Sequence, residues 1–275
     1  MNPIYLQNLG IIITEKCNLN CQHCMRGNCS NKEISDKVID ETFNQIKAVG
    51  GLSVCGGEPT LAINRIEKLF SHIVENNILV DMVSVTINGT IYSEELLRLL
   101  AYIDEYIKFN STIEELKTTF TISGDPFHYK EITRLNLIEE YLENIKKYSE
   151  DEYFLGVRNL SSKLFREGNA ENLSKKITVP LRPMKPYITY AGNNGVLDIE
   201  NGLCNLGPAI AINVNGTITE CDASIEHQET IYNYGNILIE NIEDVFVKRN
   251  AKILVPRKWN KATNKAIKKY QTYNR

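Results

Sequence analysis

Short runs of β-branched residues alternate with longer segments of helical period through the first 160 residues of this 275-residue chain. A helix that returns along a sheet lets successive strands lie parallel, so this alternation is typical of repeated βα units. Strands are predicted at residues 10–14, 52–55, 82–87, 118–123 and 153–157. The pattern predicts an α/β fold, namely a partial (β/α)6 barrel of the TIM type, in which catalytic residues lie at the C-terminal strand ends.

Amphipathic helices are predicted between these strands. Ser35 is a typical N-cap for the first helix, whose apolar positions are Val38, Ile39, Phe43, Ile46 and Val49. The second helix spans 61–75, the third begins at the cap 93–95, and the fourth spans 132–148. Each helix therefore has one apolar side that it can bury against the sheet.

After residue 160 the regular alternation weakens. The stretch 182–186 contains two prolines and is predicted to be a linker or the edge of a sixth strand, because proline cannot donate to a β-ladder. Turn sequences at 193–195, 201–202 and 215–216 then separate short apolar runs. We therefore expect three parts, which are a barrel over 1–190, a smaller β-hairpin-rich module over 191–247, and a basic tail or helix over 248–275.

Charge is distributed unevenly along the chain. Residues 248–275 hold 10 Lys and Arg and no Asp or Glu, whereas the first 247 residues hold 21 basic and 34 acidic ones. A solvated face, or docking onto the acidic body, is the simplest interpretation of the basic tail. An acidic peptide or a nucleic-acid backbone is the alternative partner.

The chain contains no apolar run that approaches the roughly 20 residues needed to span a membrane. The N-terminus has no basic residue before its apolar stretch, which leads directly into a group of cysteines. It therefore differs from a secretory signal peptide. We expect a cytoplasmic protein without membrane contact.

Four of the seven cysteines lie within residues 17–29. Cys17, Cys21 and Cys24 occupy the loop after the first predicted strand, and in a reducing compartment such crowding favours metal ligation over disulfides. Three thiolates can bind three irons of a four-iron cluster and leave the fourth iron open to another ligand. The alternative is a zinc site closed by His23, although that residue lies awkwardly between two of the cysteines.

These cysteines belong to a larger pattern. Cys-x3-Cys-x2-Cys after the first strand, Gly56-Gly57-Glu58-Pro59 after the second and Asn88-Gly89 after the third resemble the radical S-adenosylmethionine (radical SAM) superfamily over residues 10–160. The resemblance implies one 4Fe-4S cluster, with S-adenosylmethionine (SAM) bound to its open iron and the ligands Cys17, Cys21 and Cys24. It also implies that SAM is split to a 5′-deoxyadenosyl radical, which abstracts hydrogen from a substrate.

The resemblance assigns further residues to SAM. His23 takes the position beside the adenine, which is usually aromatic in the family. Gly56 and Gly57 let the backbone approach the methionine, the Glu58 carboxylate accepts from its ammonium group, and Pro59 fixes the exit into the next helix. Arginine suits the methionine carboxylate because it binds it bidentately. The candidate contacts at later strand ends are Asn88, Ser123, Asp125, His128 and Arg158.

The C-terminal part resembles the opening of a SPASM domain, or of its shortened twitch form, which many peptide-modifying members carry. The matching pattern is Cys204-x11-Gly216-x4-Cys221, followed by Tyr234-Gly235-Asn236-Ile237. Two thiols cannot complete four-cysteine ligation, so we expect no auxiliary cluster. The alternative draws its missing ligands from Cys29, Cys55, His227 or a substrate group. Candidate hydrogen-atom donors to a substrate radical are Cys29, Cys55, Cys204 and Cys221.

We expect a radical SAM enzyme that acts on a peptide, as in the maturation of ribosomally made precursors. An external one-electron reductant of the flavodoxin or ferredoxin type is its expected partner. The alternative substrates are a small molecule or a nucleotide, and a glycyl-radical activase is a third enzymatic possibility. The non-enzymatic alternatives are an iron-sulfur sensor and a nucleic-acid-binding protein that works through the basic tail.

Overall fold

The computed structural model describes residues 4–110, 118–128, 137–145, 147–148, 154–158, 164–180, 182, 185–191, 203–207, 209–220, 232–249 and 251–253. A mixed sheet of eleven strands runs through this part of the chain. Its first strand, β1 (Ile4–Thr14), is almost entirely buried, which is typical of a strand covered on both faces.

Five parallel strands form one side of the sheet and pair in chain order. They are β1, β2 (Ile46–Gly56), β3 (Leu79–Ile87), β4 (Thr118–Ser123) and β5 (Phe154–Arg158). The helices between them are α1 (Asp36–Gln45), α2 (Ile63–Glu75), α3 (Glu94–Asn110) and α4 (Leu137–Ile145). This series confirms the predicted α/β fold with a partial barrel.

The helices pack as their sequence periodicity predicts. In α2 the buried residues are spaced by three and four, and they are Ile66, Leu69, Phe70 and Ile73. Burial of each such side chain is worth about 1.5–3 kcal/mol relative to exposure. Ser35 caps α1 by accepting a hydrogen bond from the backbone N–H of Val38 at 3.3 Å. Ser93 does the same for α3, where the donor is the N–H of Leu96 at 3.1 Å.

The boundary between α1 and β2 differs from the prediction. The helical spacing of apolar residues continues through Ile46 and Val49, but α1 ends at Gln45 and both residues lie in β2. The backbone of Ile46 pairs with Ile4, and that of Val49 with Leu6 in β1 and Val80 in β3. Hydrogen bonds to two neighbouring strands therefore override the local helical period.

Two short strands follow the partial barrel. They are β6 (Leu164–Phe165) and β7 (Thr178–Val179), which form a separate two-stranded parallel sheet. Between them lies a 3₁₀ turn, Gly168–Asn172. This turn faces the loop that carries the cysteines, as described below.

The sheet continues on the other side of β1. The strands are β8 (Tyr187–Ala191), β9 (Leu203–Gly207), β10 (Ile210–Ile212), β11 (Thr217–Glu220), β12 (Asn233–Asn236) and β13 (Lys252–Ile253). Both β9 and β10 pair parallel with β1, whereas β10, β11 and β12 run antiparallel. A last helix, α5 (Ile242–Lys248), follows β12. The predicted turn at 215–216 joins β10 to β11.

Several sequence predictions lie outside the described residues. These are the turns at 193–195 and 201–202, the first part of the helix predicted at 132–148, and the tail from residue 254. The domain boundary expected near residue 190 does not interrupt the sheet. The strands β9 and β10, which follow that boundary, pair directly with β1, which precedes it. No helix of the described residues is both long enough and apolar enough to span a membrane.

Candidate active site

A cavity of about 370 Å³ opens at the C-terminal ends of the parallel strands. Its lining residues follow β1, end β2, end β3 and follow β4, so four strand ends contribute to one space. Catalytic residues of βα barrels occupy this end of the sheet. The predicted site residues that line the cavity are Cys17, Cys21, His23, Cys24, Cys29, Cys55, Gly56, Gly57, Asn88, Ser123, Asp125 and His128.

The three cysteines of the loop after β1 are partly buried and border the cavity. Burial, with a smaller contribution from neighbouring thiols, raises the pKa of the Cys17 thiol to about 11 and that of Cys21 to about 12. Burial also raises the pKa of Cys24. These thiols therefore need a bound cation to become thiolates at neutral pH, because a coordinated metal deprotonates them. The donor set fits a metal cluster that is bound through sulfur.

Backbone hydrogen bonds hold the start of this loop against the end of β2. The N–H of Gly57 donates to the carbonyl of Thr14 at 2.7 Å, and that of Glu58 to the carbonyl of Lys16 at 2.6 Å. A Cβ at position 57 would lie 2.1 Å from the Lys16 carbonyl oxygen. Only glycine permits this approach, so the glycine pair fixes where the cysteine loop begins.

Glu58 is fully buried and makes three hydrogen bonds within the protein. Its Oε1 accepts from the N–H of Thr60 at 3.0 Å and from the Thr60 hydroxyl at 2.6 Å, while Oε2 accepts from the N–H of Asn88 at 2.6 Å. Burial raises the pKa of Glu58, and these hydrogen bonds oppose that rise. The carboxylate joins the ends of β2 and β3 and does not appear among the residues that line the cavity. Its contact with the ammonium group of SAM stays a prediction.

Asn88 connects the end of β3 to the cysteine loop. Its side-chain amide donates to Asn18 Oδ1 at 2.9 Å and lies 3.9 Å from Cys17 Sγ, and its Oδ1 accepts from the N–H of Thr90 at 2.9 Å. Pro59 was also predicted as a site residue. It is buried at the start of a 3₁₀ turn, Pro59–Ala62, that leads into α2. Asn88 directly follows β3, and Pro59 follows β2.

Asp125 lies in the turn after β4 and binds two histidines. Its Oδ2 lies 2.7 Å from His128 Nδ1 and 3.3 Å from His23 Nε2, and its Oδ1 accepts from the N–H of Phe127 at 2.9 Å. Burial works to raise the pKa of Asp125, but hydrogen bonds from His128 and His23 outweigh it and hold the pKa well below its usual range. The group is therefore an ionised carboxylate that accepts from both imidazoles.

The two histidines extend this contact in different directions. The Nε2 of His128 lies 3.3 Å from Cys21 Sγ. His23 stacks on Phe127 with ring centroids 4.3 Å apart, and its Nδ1 is buried without a hydrogen-bond partner among the described residues. Ligand atoms of His23, Asp125 and His128 all lie within 4.8 Å of one another, a spacing that also suits a metal ion.

The 3₁₀ turn after β6 is hydrogen-bonded to the cysteine loop. This contact was not predicted from the sequence. The N–H of Asn169 donates to the carbonyl of Cys24 at 2.9 Å, and its side-chain amide donates to the carbonyl of Cys21 at 3.1 Å. Gly168 has φ +53°, and a Cβ there would lie 2.4 Å from the Gly27 nitrogen. A glycine before asparagine is a weak turn signal, and nothing local shows what such a turn contacts.

The other predicted cysteines occupy three kinds of position. Cys29 is exposed, Cys55 lines the cavity with its Sγ 3.8 Å from Arg26 Nη2, and Cys204 is completely buried in the core. Cys221 and His227 lie outside the described residues. The backbone of Arg158 pairs with that of Ser123 at the ends of β5 and β4, and its side chain is outside what the structure describes.

The fold and the three-cysteine cavity agree with a comparison of the sequence with protein families. The model of the Radical SAM superfamily matches residues 11–157, which is more than half of the chain. The chain belongs to the radical SAM superfamily. This radical SAM protein is therefore an enzyme whose cofactors are a 4Fe-4S cluster and SAM. Family membership favours the iron-sulfur interpretation of the cysteines over the zinc alternative.

Two curated relatives match parts of the chain. An uncharacterized protein of Methanocaldococcus jannaschii is 26% identical over 201 residues, which cover 62% of this chain and 66% of the relative. A probable GTP 3′,8-cyclase of Archaeoglobus fulgidus is 38% identical over 96 residues, which cover 32% of this chain and 31% of the relative. The matches thus span less than two thirds of either relative.

Solved structures resemble this radical SAM enzyme at low identity. The native anSMEcpe structure with bound AdoMet and Cp18Cys peptide has a TM-score of 0.49 at 17% identity, covering 96% of this chain and 82% of that chain. The crystal structure of Streptococcus suis SuiB bound to precursor peptide SuiA has a TM-score of 0.39 at 14% identity. It covers 89% of this chain and 64% of that chain.

Proposed function

We propose that Cys17, Cys21 and Cys24 bind the 4Fe-4S cluster and that the enzyme uses it to cleave SAM for hydrogen abstraction from a peptide. The convergence of these three thiols on one cavity at the strand ends carries the proposal. When bound, the cluster supplies the electron that breaks a carbon-sulfur bond of SAM and releases the 5′-deoxyadenosyl radical. An external reductant of the flavodoxin or ferredoxin type supplies that electron.

In this proposal the strand ends position SAM. Gly56 and Gly57 line the cavity without side chains, so their backbone can approach the methionine part of SAM. Ser123 and Asn88 offer polar groups from the ends of β4 and β3, and Arg158 ends the adjacent strand. Glu58 acts from behind the cavity by fixing the position of Asn88, since its oxygens already accept hydrogen bonds from protein groups.

His23 contributes one wall of the cavity. It is held on one side by Asp125 and on the other by stacking on Phe127, so its ring has a fixed orientation. A fixed planar ring suits contact with the adenine base. The site residues thus divide into those that bind the cluster, those that contact SAM and those that hold the contacts in place.

The peptide part of the proposal rests on the C-terminal region. The spacing of Cys204, Gly216 and Cys221 and the sequence at 234–237 resemble the start of the extension that peptide-modifying members carry. In the structure the described part of this region forms the antiparallel strands β10, β11 and β12, which extend the barrel sheet. We therefore propose a peptide substrate and a truncated module without an auxiliary cluster.

A nucleotide is the second candidate substrate. The observation that favours it is the 38% identity over 96 residues to a probable GTP 3′,8-cyclase. That match covers 31% of the relative and so leaves most of that protein without a counterpart here. The two candidates differ in the substrate alone and share the cleavage of SAM.

Cleavage of SAM tests the shared chemistry. The anaerobically reconstituted full-length enzyme should hold about four irons per chain and, with dithionite, should convert SAM to 5′-deoxyadenosine and methionine. Cys21→Ala should abolish both properties. Cys204→Ala is the matched cysteine control, because Cys204 lies in the core and outside the cavity. A loaded wild-type cluster without cleavage would contradict the proposal, and about eight irons would contradict the absence of an auxiliary cluster.

Labelled substrates distinguish the two candidates. Peptides encoded next to the gene, and separately GTP, are added with deuterium on their carbon atoms. The true substrate should increase 5′-deoxyadenosine formation and transfer deuterium into it. Transfer from GTP with none from any peptide would overturn the peptide proposal while preserving the radical SAM chemistry.

A further inference from the structure

A chain of side chains connects the turn after β4 to a cysteine of the loop after β1. Asp125 Oδ2 lies 2.7 Å from His128 Nδ1, and His128 Nε2 lies 3.3 Å from Cys21 Sγ. His128 and Asp125 are 8% and 7% exposed, so water competes little for these contacts. Cys21 and His128 are 107 positions apart, and only the fold brings them together.

The first contact fixes one nitrogen of the His128 ring. Asp125 Oδ2 lies 2.7 Å from His128 Nδ1, which is hydrogen-bond distance and holds the ring at that nitrogen. The backbone N–H of His128 also donates to the Asp125 carbonyl at 3.0 Å, which holds the two residues in one tight turn. The ring therefore has a defined orientation, with Nε2 directed at the sulfur.

The contact between His128 Nε2 and Cys21 Sγ changes in character when Cys21 binds iron. A coordinated thiolate has lost its proton and offers lone pairs alone. An attractive contact with that sulfur therefore needs an N–H donor, which Nε2 of the His128 ring provides at 3.3 Å.

We propose that His128 donates a hydrogen bond from Nε2 to the Cys21 sulfur in the loaded enzyme, that Asp125 holds it there, and that this bond raises the reduction potential of the cluster. The inference rests on the proposed function, in which Cys21 is a cluster ligand. Reduction adds negative charge, so a hydrogen-bond donor at a ligand sulfur stabilises the reduced form more than the oxidised one. Hydrogen bonds to cluster sulfurs and partners behind metal ligands have this effect in iron-sulfur proteins. His128 is thus a positioning residue that acts through Cys21.

A bound metal ion is the competing interpretation of the same side chains. His23, Asp125 and His128 have the spacing of a metal site, but both imidazoles already contact Asp125 Oδ2 and the N–H of Phe127 donates to its Oδ1. A metal ion at that site also leaves the approach of His128 to Cys21 unexplained. Metal analysis of the loaded enzyme decides between them, and a stoichiometric metal other than cluster iron would overturn the proposal.

The reduction potential is the first measurement. In EPR-monitored titrations of the reconstituted enzyme without SAM, His128→Phe should lower the equilibrium constant for reduction about tenfold, which is 59 mV for one electron. His128→Gln keeps an N–H donor in a side chain of different shape, so its potential should lie between those of wild type and His128→Phe. His72→Phe is the matched control, because His72 Nδ1 pairs with Asp40 at 3.0 Å outside the cavity. An unchanged potential in loaded His128→Phe would overturn the proposal.

The second measurement needs no loss of His128. The wild-type enzyme is labelled with ¹⁵N-histidine, and the reduced cluster is examined by pulsed EPR for coupling to ¹⁵N. We expect a coupling that disappears in His128→Phe and persists in His72→Phe, while Asp125→Asn weakens it with His128 still present. Its absence from a loaded, SAM-cleaving wild type would refute this hydrogen bond alone, whereas failure to load or to cleave SAM would refute the proposed function.

Discussion

Single buried polar side chains hold the strand ends of the candidate site in register. Glu58 is the clearest case, since its carboxylate receives three donors from Thr60 and Asn88. A buried acceptor in this arrangement is costly to disturb, because the donors left without a partner cannot reach water. The identity of such residues was visible in the sequence as part of a glycine-rich turn, but their partners were not.

Glu58→Gln should destabilise the protein by about 1–3 kcal/mol. The new amide brings a donor to an oxygen position that already faces N–H or O–H donors, so at least one of them loses its acceptor. Urea unfolding of the full-length apoprotein measures the change. Glu67→Gln on the exposed side of α2 should stay within about 0.5 kcal/mol of wild type. Equal stability of the two variants would show that the hydrogen bonds of Glu58 to Thr60 and Asn88 do not stabilise the protein.

Gly57→Ala should also destabilise the protein, by about 1–3 kcal/mol, and should impair retention of the cluster. Its Cβ would meet the backbone oxygen of Lys16 at 2.1 Å, and the backbone cannot yield without moving the cysteine loop. Gly51→Ala in the preceding strand β2 is the control, since its nearest obstacle is the Asn8 side chain at 2.8 Å. Unfolding midpoints and iron content measure the two effects, and retention of both in Gly57→Ala would contradict the packing argument.

At the scale of elements, the loop with the cysteines is held by structure that follows it by more than a hundred residues. The turn Gly168–Asn172 contacts the carbonyls of Cys21 and Cys24 through Asn169. The strand ends and the motif after each strand were predictable, because hydrophobic period and turn residues are local signals. This turn was not, since its contacts depend on where a short two-stranded sheet places it.

Asn169→Ala should loosen the cysteine loop without unfolding the protein. One side-chain hydrogen bond to Cys21 is lost, which is worth about 1 kcal/mol or roughly fivefold in local stability. We expect cluster iron to pass to a chelator about fivefold faster, at an unchanged unfolding midpoint. Asn172→Ala, at an exposed position of the same turn, should behave like wild type. If both variants lose iron at the wild-type rate, the turn does not brace the loop.

The boundary between α1 and β2 shows where hydrophobic periodicity fails to predict the end of a helix. Val49 continues the apolar spacing of α1, yet it lies in a strand between β1 and β3. Helical and strand patterns coincide over such short apolar runs, and pairing with strands far along the chain decides between them. The same limit explains why β1 and β3 begin earlier than their β-rich cores suggested.

For the whole molecule, β1 is the central strand that joins the barrel to the C-terminal region. It pairs with β2 on one side and with β9 and β10 on the other, where Leu6 faces Leu206 and Ile11 faces Ile212. The sequence suggested a second module from about residue 191, and the strand pairs β8–β9, β10–β11 and β11–β12 in this part of the chain are antiparallel. Pairing between strands two hundred residues apart leaves no local signal in the sequence. The continuity of the sheet could therefore not be predicted.

This continuity predicts how the enzyme responds to truncation. A chain ending at residue 202 lacks β9 and β10 and leaves one edge of β1 with unpaired backbone groups beside buried apolar residues such as Leu9 and Ile11. Edges of this kind aggregate, so the truncated chain should be insoluble or lack a cooperative transition. A chain ending at residue 253 keeps every described strand and should unfold, like the full chain, in one transition by circular dichroism and calorimetry. A soluble fragment 1–202 with a wild-type transition would instead establish the barrel as an independent folding unit, with β9 and β10 as an attachment to it.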